Sequence, residues 1–435
     1  MIRMEESFYL VRRLLTKRMY NKTVLDNGIR IVTEKIDHRN SVSIGIWVNV
    51  GSRDEDEPRS GITHFIEHMI FKGTEKRNHL QIAKELDLIG GLSNAFTGKE
   101  QTCFHSKVLS IHLEKACDIL SDIFLHSVFD PKEMEKERNV ILQEISMIED
   151  TPDEYVHVLF QKTFWKDHPL GRPIVGTPQS IMSITHSDIL EHLKFYYDPQ
   201  NIIIAASGNV DHQRFVEYLE PMFNSLRPLS SKPSRFVPVC GKAEHIQSKD
   251  LEQIHVCLGG VAPSLRDEER FSALMFNVIL GGNMSSRLFQ EIREKAGLVY
   301  SIYSFMSAFE DTGLLGIYFG CSRDDLNQAF ELLYSEIRKI QKGDISDEEL
   351  QRAYEYMMGS LLIEAENVDS RMIRLARNEA LYGRYISYEE VLERLRGVKK
   401  DNVVEMANRV FNNDMACVIL GPIDEDRFNG SFLPF

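Results

Sequence analysis

The sequence predicts an α+β protein built from two homologous domains, each an antiparallel sheet with helices on one face. Three observations predict it. A chain of 435 residues is too long for one ordinary core. Strand-like and helix-like segments follow one another in the same order twice. Between the two runs lies Leu226-Arg-Pro-Leu-Ser-Ser-Lys-Pro-Ser-Arg-Phe-Val-Pro238, rich in proline and serine, which divides the chain nearly in half. The expected division is an N-terminal extension over 1–19, a first domain over 20–226, a linker over 227–239 and a second domain over 240–435.

Taken in order, Thr23 to Thr33 reads as a hairpin turning at Asn27-Gly28. Ser41 to Val50 alternates and is β-branched, so it is a strand. An acidic loop from Arg53 to Glu57 leads to an apolar helix that begins near Gly61, with Ser60 as its N-cap and Gly73 closing it. Leu80 to Ile89 is a second helix, stopped by Gly90-Gly91. Ser93 to Thr97 and Gln101 to Val108 are paired strands joined through Gly98-Lys99, and His112 to Leu125 is amphipathic. Asp130-Pro131 opens a long helix, aspartate as N-cap and proline at the first helical position, which ends before Thr151-Pro152. Asn201 to Gly208 is a buried strand, followed by a helix from Gln213 to Phe223.

After the linker the order recurs. Gln253 to Gly259 is a strand, Arg266-Asp-Glu268 echoes Arg53-Asp-Glu55, and Phe271 to Leu280 is a helix. Leu288 to Gly297 echoes Ile82 to Gly91. Strands Val299 to Met306 and Thr312 to Gly320 match the earlier hairpin, and helices near Asp325 and Ser346 match those near His112 and Pro131.

Composition narrows the function. Hydrophobic content of 43% and charged content of 27% are those of a soluble globular chain. A net charge of −14 argues against non-specific nucleic-acid binding. The six cysteines form no C-x-x-C pair, which fits reduced thiols in a cytosol. No apolar run reaches the length of a membrane span. The basic residues of Met1 to Arg18 surround Phe8, Leu10, Leu14 and Leu15 without a signal-peptide core, and Glu5 and Glu6 speak against an organellar transit peptide. The expected location is cytoplasmic.

The chemistry gathers on Gly61-Ile-Thr-His64-Phe-Ile-Glu67-His68-Met-Ile-Phe71. His64 and His68 are four apart and share a helix face, with Glu67 bordering it. Two imidazoles at one-turn spacing can share a metal ion, and a neighbouring carboxylate can deprotonate a water. This is an H-x-x-E-H arrangement. It needs a third ligand, and on the long helix Glu144 is flanked by Val140, Ile141 and Ile145, a setting in which a carboxylate needs a partner. Glu137 lies two turns before it. Aligning the repeats puts Asn277, Leu280 and Gly281 opposite His64, Glu67 and His68, and Arg352 and Gly359 opposite Glu137 and Glu144. The fold is duplicated and the site is not. His79, His105, His112, His126, His157 and His168 lack partners at ligand spacing.

Gly61-x-x-His64-x-x-Glu67-His68-Met-x-Phe-Lys-Gly73-Thr, Asn94-Ala-Phe-Thr97 and Glu137-Arg-Asn-Val-Ile-Leu-Gln-Glu144 together resemble the pitrilysin/insulinase family of zinc metallopeptidases, closest to its short two-domain members. The resemblance covers nearly all the chain from Tyr20. It implies one zinc ion per chain held by His64, His68 and Glu144, with Glu67 as general base and Glu137 orienting an imidazole. It implies that Leu92 to Thr97 is an edge strand on which Asn94, Ala95 and Phe96 bind an extended or unfolded peptide. Arg293 and Tyr300 match a pair that contacts substrate near the scissile bond. Long family members carry four such units, so two units imply a homodimer, clamshell-shaped when assembled, with that pair supplied by the opposing protomer. Nucleic acid and membrane are not expected partners. The alternatives are a non-catalytic peptide-binding or scaffold subunit of the same fold, and a catalytic subunit working beside a different chain in a heterodimer.

Overall fold

A computed structural model describes residues 19–229, 235–412, 414–423 and 432–433. The expected N-terminal extension therefore lies outside the described residues, apart from Met19. The first half runs β1 (Met19–Val24), β2 (Arg30–Lys35), β3 (Ser41–Val48), α1 (Ile62–Met69), α2 (His79–Leu88), β4 (Leu92–Thr97), β5 (Thr102–Leu109), α3 (Leu113–His126) and α4 (Pro131–Asp150). It continues through α5 (Pro152–Phe164), α6 (Pro178–Ser183), α7 (His186–Tyr196), β6 (Ile202–Gly208) and α8 (His212–Phe223). The second half runs β7 (Ala243–Ser248), β8 (Ile254–Ala262), α9 (Arg270–Leu280), a π-helical segment (Phe289–Lys295), β9 (Val299–Ala308) and β10 (Gly313–Cys321). It ends with α10 (Leu326–Gln341), α11 (Asp347–Glu364), α12 (Val368–Tyr382), α13 (Tyr388–Arg396), α14 (Lys400–Val410) and β11 (Ala416–Gly421).

The first sheet has the order β1-β2-β6-β3-β5-β4 and the second β7-β11-β8-β10-β9. Set β1 aside and the two orders correspond strand for strand. Each contains one parallel pair, β2 with β6 and β7 with β11, among antiparallel neighbours. The repeat read from the sequence is thus a repeat of topology, and the α+β class stands. The β1–β2 hairpin turns where Asn27-Gly28 demanded, with Gly28 at φ +96.

Two compact units result, and neither is one continuous stretch. Among the described residues, unit 1 falls within 1–145, 173–235 and 361–389, and unit 2 within 146–172, 236–360 and 390–435. This differs from the contiguous split expected at 227–239: α5 belongs to unit 2 although it precedes the linker, and α12 belongs to unit 1 although it follows it. In unit 1 the main core packs α1, α3, α4, α7 and α8 against one face of the sheet. On the other face Met372, Leu375 and Ala376 of α12 cover Val32, Trp47, Cys103, Ile203 and Ala205. In unit 2 the corresponding helix is α5, whose Val156, Leu159, Phe160 and Phe164 cluster with Cys257, Leu314, Tyr318 and Val418. Helices therefore cover both faces of each sheet, not one. The unbroken apolar run Ile202-Ile-Ile-Ala-Ala206, buried at every residue, is the signature of a strand covered on both sides. No helix of the described residues is long and apolar enough to cross a membrane.

Candidate metal centre

Helix α1 starts at Gly61 rather than Ser60. Gly61 is the N-cap, at φ +92, and its own position admits no side chain, because a Cβ would come within 2.7 Å of Ile181 and 2.8 Å of the Val175 carbonyl oxygen. The capping acceptor comes from elsewhere in the chain. The Glu55 carboxylate accepts from Gly61 N–H at 2.7 Å and Thr63 N–H at 2.9 Å, placing a carboxylate at the positive end of the helix. At the other end Ile70 is the C-cap, and Gly73 (φ +141) lies in the turn beyond it rather than closing the helix. Ile62, Phe65, Ile66 and Met69 bury one side of α1, leaving His64 almost buried and Glu67 and His68 half-buried.

His64, His68 and Glu144 meet. One ligand atom from each lies within 4.8 Å of the others, and no other such group forms among the described residues. Glu144 Oε1 is 3.9 Å from His64 Nε2 and Glu144 Oε2 is 3.6 Å from His68 Nε2. Tetrahedral ligands on a shared zinc, at about 2.0–2.1 Å each, sit about 3.3 Å apart, so these separations suit donors around one ion. Glu137 Oε2 stands 3.1 Å from His68 Nδ1. A carboxylate only accepts, so Nδ1 carries a proton, and Nε2 is the atom that faces Glu144. Lys72 Nζ closes on Glu137 Oε1 at 2.5 Å, holding the carboxylate from its far side. His64 Nδ1 is buried without a hydrogen-bond partner among the described residues.

Electrostatics differ among the three donors. Burial, then the neighbouring His68, hold His64 down to about 4, so its imidazole is neutral at ordinary pH. Burial also opposes charge on His68, but its hydrogen bonds to Glu144 and Glu137 outweigh it and raise its pKa. The hydrogen bond from His68 holds Glu144 below the usual carboxylate value. The donor set, two imidazoles and a carboxylate with one imidazole oriented by a further carboxylate, fits a zinc ion.

Glu67 stands apart from this trio. Thr97, the last residue of β4, donates from Oγ1 to Glu67 Oε2 at 2.5 Å, and its main chain adds a second hydrogen bond. Burial raises the Glu67 pKa, and these bonds offset part of the rise. Strand β4 is one edge of the sheet, paired among the described residues only with β5. Ala95 faces the main core, and its N–H donates to Asn94 Oδ1 at 2.9 Å. Phe96 points to the opposite face, edge-on to Trp47 at 5.4 Å, so its ring is a packing group beneath α12 and only its backbone is offered along the edge. Thr97, Lys72 and Glu55 were not singled out in the sequence. Thr97 adjoins the Asn94–Phe96 trio, and that adjacency was the available signal.

Arg293 and Tyr300 belong to unit 2. Arg293 lies in the π-helical segment over the Phe289 ring, 4.6 Å from its centroid. Tyr300 is 78% exposed on β9, an edge strand of the second sheet.

Residues 30–178 match the family model described as insulinase (peptidase family M16), and residues 183–357 match that of the peptidase M16 inactive domain. An uncharacterized zinc protease of Bacillus subtilis is 38% identical over 404 residues, 93% of this chain and 98% of that protein. One from Streptomyces coelicolor is 37% identical over 413 residues, 93% of this chain and 90% of that one. Among solved structures, a protease from Helicobacter pylori shares the fold with a TM-score of 0.86 at 22% identity, covering 93% of this chain and 100% of that chain. A peptidase M16 inactive domain from Pseudomonas fluorescens also reaches 0.86, at 19% identity, covering 93% and 98%. Two relatives of such identity over nearly their whole lengths leave one conclusion: the chain belongs to the insulinase family of peptidases, family M16.

Proposed function

We propose that the protein is a zinc-dependent endopeptidase that hydrolyses extended or unfolded peptides. The observation that carries the reading is the convergence of His64, His68 and Glu144 while Glu67, on the same helix, is held out of the ligand set by Thr97. His64 Nε2, His68 Nε2 and Glu144 would hold one zinc ion, which supplies a Lewis acid for the scissile carbonyl and the attacking water. Glu137 keeps the proton of His68 on Nδ1 and so fixes the ring's orientation. The Glu67 carboxylate, its other oxygen engaged by Thr97, takes the proton from the attacking water and returns it to the leaving amine. The open edge of β4 accepts a peptide as an added strand, whose main-chain bonds tolerate varied side chains. Asn94 yields the Ala95 N–H when that strand arrives.

The test is zinc content and cleavage of a quenched peptide, read by mass spectrometry, with Glu67→Gln as control. Stoichiometric zinc in a Glu67→Gln variant that cleaves as well as the parent would remove Glu67 from the role of base. We further propose a homodimer in which Arg293 and Tyr300 reach the site of the opposing protomer. Verified mixed dimers of a Glu67→Gln chain with a Tyr300→Phe chain then regain activity that neither homodimer has. Activity only after addition of a different chain would identify a heterodimer instead.

A further inference from the structure

Helices α1 and α4 carry the residues of the candidate metal centre, His64 and His68 on one, Glu137 and Glu144 on the other. At the C-terminal end of α1 the two helices are joined through the site itself, by Glu137 with His68 and Lys72. Further up α1 they are joined by Arg138, a guanidinium only 7% exposed. It lies over the ring of Phe65 on α1, 5.3 Å from the centroid, within cation–π range. Its Nη1 donates to the Ile181 carbonyl oxygen and its Nη2 to that of Ile184, the latter at 2.9 Å. Both oxygens belong to the end of α6, where a helix leaves carbonyls without an internal partner. Glu135, one turn back on α4 and largely exposed, accepts from the same guanidinium at 3.1 Å.

Helix α6 is in turn seated on the start of α1. Ser180, buried, donates from Oγ to the Ser60 carbonyl oxygen at 2.6 Å. A Cβ on Gly176 would come within 2.4 Å of that oxygen and 3.0 Å of Gly61 Cα, so the two backbones touch. Arg138 therefore reaches α1 twice, directly at Phe65 and through α6 at Ser60.

Phe65 follows His64 in the sequence and Arg138 follows Glu137. Glu144 is six residues beyond Arg138, about 9 Å along α4. A slide or tilt of one helix on the other at this level moves Glu144 against the two imidazoles. Zinc tolerates little of that, since its ligand distances hold to about 0.2 Å. A lysine would not serve here, because one ammonium lacks the planar fork that meets two carbonyls while lying on a ring.

We propose that Arg138 and Ser180 are positioning residues, a clamp through α6 that sets the spacing of the two donor-bearing helices and so keeps Glu144 within reach of an ion held by His64 and His68. The effect on metal rests on the zinc reading of these three residues; the tie between the helices does not.

The experiment compares Arg138→Met and Ser180→Ala with the parent in the full-length protein. Leu219→Ala, which empties part of the main core on α8, serves as a variant that is only destabilised. Zinc affinity is measured by competition with a chelator of known affinity, well below each melting temperature. Arg138→Met binds zinc about 10- to 100-fold more weakly, the loss expected when a supporting group around a metal site is removed. Ser180→Ala moves affinity the same way by less. Cobalt(II) in place of zinc reports donor geometry through its visible bands, which shift in Arg138→Met and not in Leu219→Ala. Hydrogen exchange on the metal-free proteins supplies a readout without metal: Arg138→Met speeds exchange at 62–66, on a helix remote from it in the sequence. A parent that takes up no zinc removes the zinc reading and the clamp's effect on metal with it, while the exchange still judges the tie. Affinity and cobalt bands in Arg138→Met that match those of Leu219→Ala, or exchange confined to α4, overturn the proposal. Should Arg138→Met not fold, Ser180→Ala, which deletes one hydroxyl and leaves the α6 carbonyls to Arg138, decides alone.

Discussion

Thr97 Oγ1 donates a 2.5 Å hydrogen bond to Glu67 Oε2, tying the last residue of an open sheet edge to the carboxylate that lies between His64 and His68 in the sequence. A carboxylate held this way has one oxygen occupied. The strand proposed to receive a peptide and the group proposed to take the proton are therefore adjacent through one side chain.

Replacing Thr97 by valine keeps the strand and removes the donor. Hydrogen bonds to charged groups contribute about 1.5–3 kcal/mol, so kcat should fall about 10- to 100-fold if the bond is fully used in turnover. Thr97→Ser should restore most of it, because the hydroxyl is retained. Parallel kinetics on the two variants decide it: equal losses would place the effect in packing instead.

In the proposed metal centre Glu137 acts through His68. Glu137→Gln replaces a carboxylate by an amide at the 3.1 Å contact with Nδ1 and loses the Lys72 pairing. Loss of such an orienting partner lowers metal affinity about 10- to 100-fold. Competition with a chelator of known affinity measures this without any peptide. His68→Ala, which removes a donor itself, should abolish tight binding.

What the sequence disclosed, and what it withheld, follows from the range of each interaction. The i, i+4 spacing of His64 and His68 is local, and so are the Asp130-Pro131 start and the end of α4 before Thr151-Pro152, which the structure reproduces at Pro131–Asp150. The capping of α1 was misplaced because Ser60 satisfies a local rule, whereas Glu55 reaches the helix across a folded loop. Amphipathic periodicity tells that α5 and α12 bury a face, but not which sheet covers it, so their exchange between the two halves was invisible. Thr97 and Glu67 are 30 positions apart and meet only once β4 lies beside α1.

The acid limb of unit 1's stability carries a further prediction. Burial first, and the Arg59 guanidinium second, hold His192 down to about 3 from an ordinary 6.5. The ring packs on Tyr196 at 4.5 Å and sits 3.5 Å from Thr63 Oγ1. Between those two pH values the unfolded chain binds a proton at this residue and the folded chain does not. Stability from the neutral ring is thus complete above about 6.5 and is lost as pH falls towards 3. Metal-free His192→Phe should lose less stability than the metal-free parent between pH 6.5 and 4 in thermal melts. Parallel acid limbs would remove His192 from the account.

A fully buried ion pair contributes to the docking of α12 onto the first sheet, beside its apolar face and the pairing of Glu379 with Lys22. Arg371 Nη1 lies 2.8 Å from Glu34 Oε1 on β2, both side chains 3% exposed, and Tyr385 OH donates to the same oxygen at 3.1 Å. Removing the arginine strands a buried carboxylate with only a phenol to answer it. Removing the carboxylate's charge instead leaves an arginine that still donates to the Ala365 carbonyl and lies 5.2 Å from the centre of the Tyr388 ring. The cost should be unequal: about 3–5 kcal/mol for Arg371→Met and less for Glu34→Gln. The double variant Glu34→Leu/Arg371→Met should recover much of the larger loss, since two apolar groups there leave no charge unpaired. Urea unfolding, followed through Trp47 beneath α12, reads the unit concerned. Equal losses in the two single variants, with no recovery in the double, would mean that this pair does not hold α12 to the sheet.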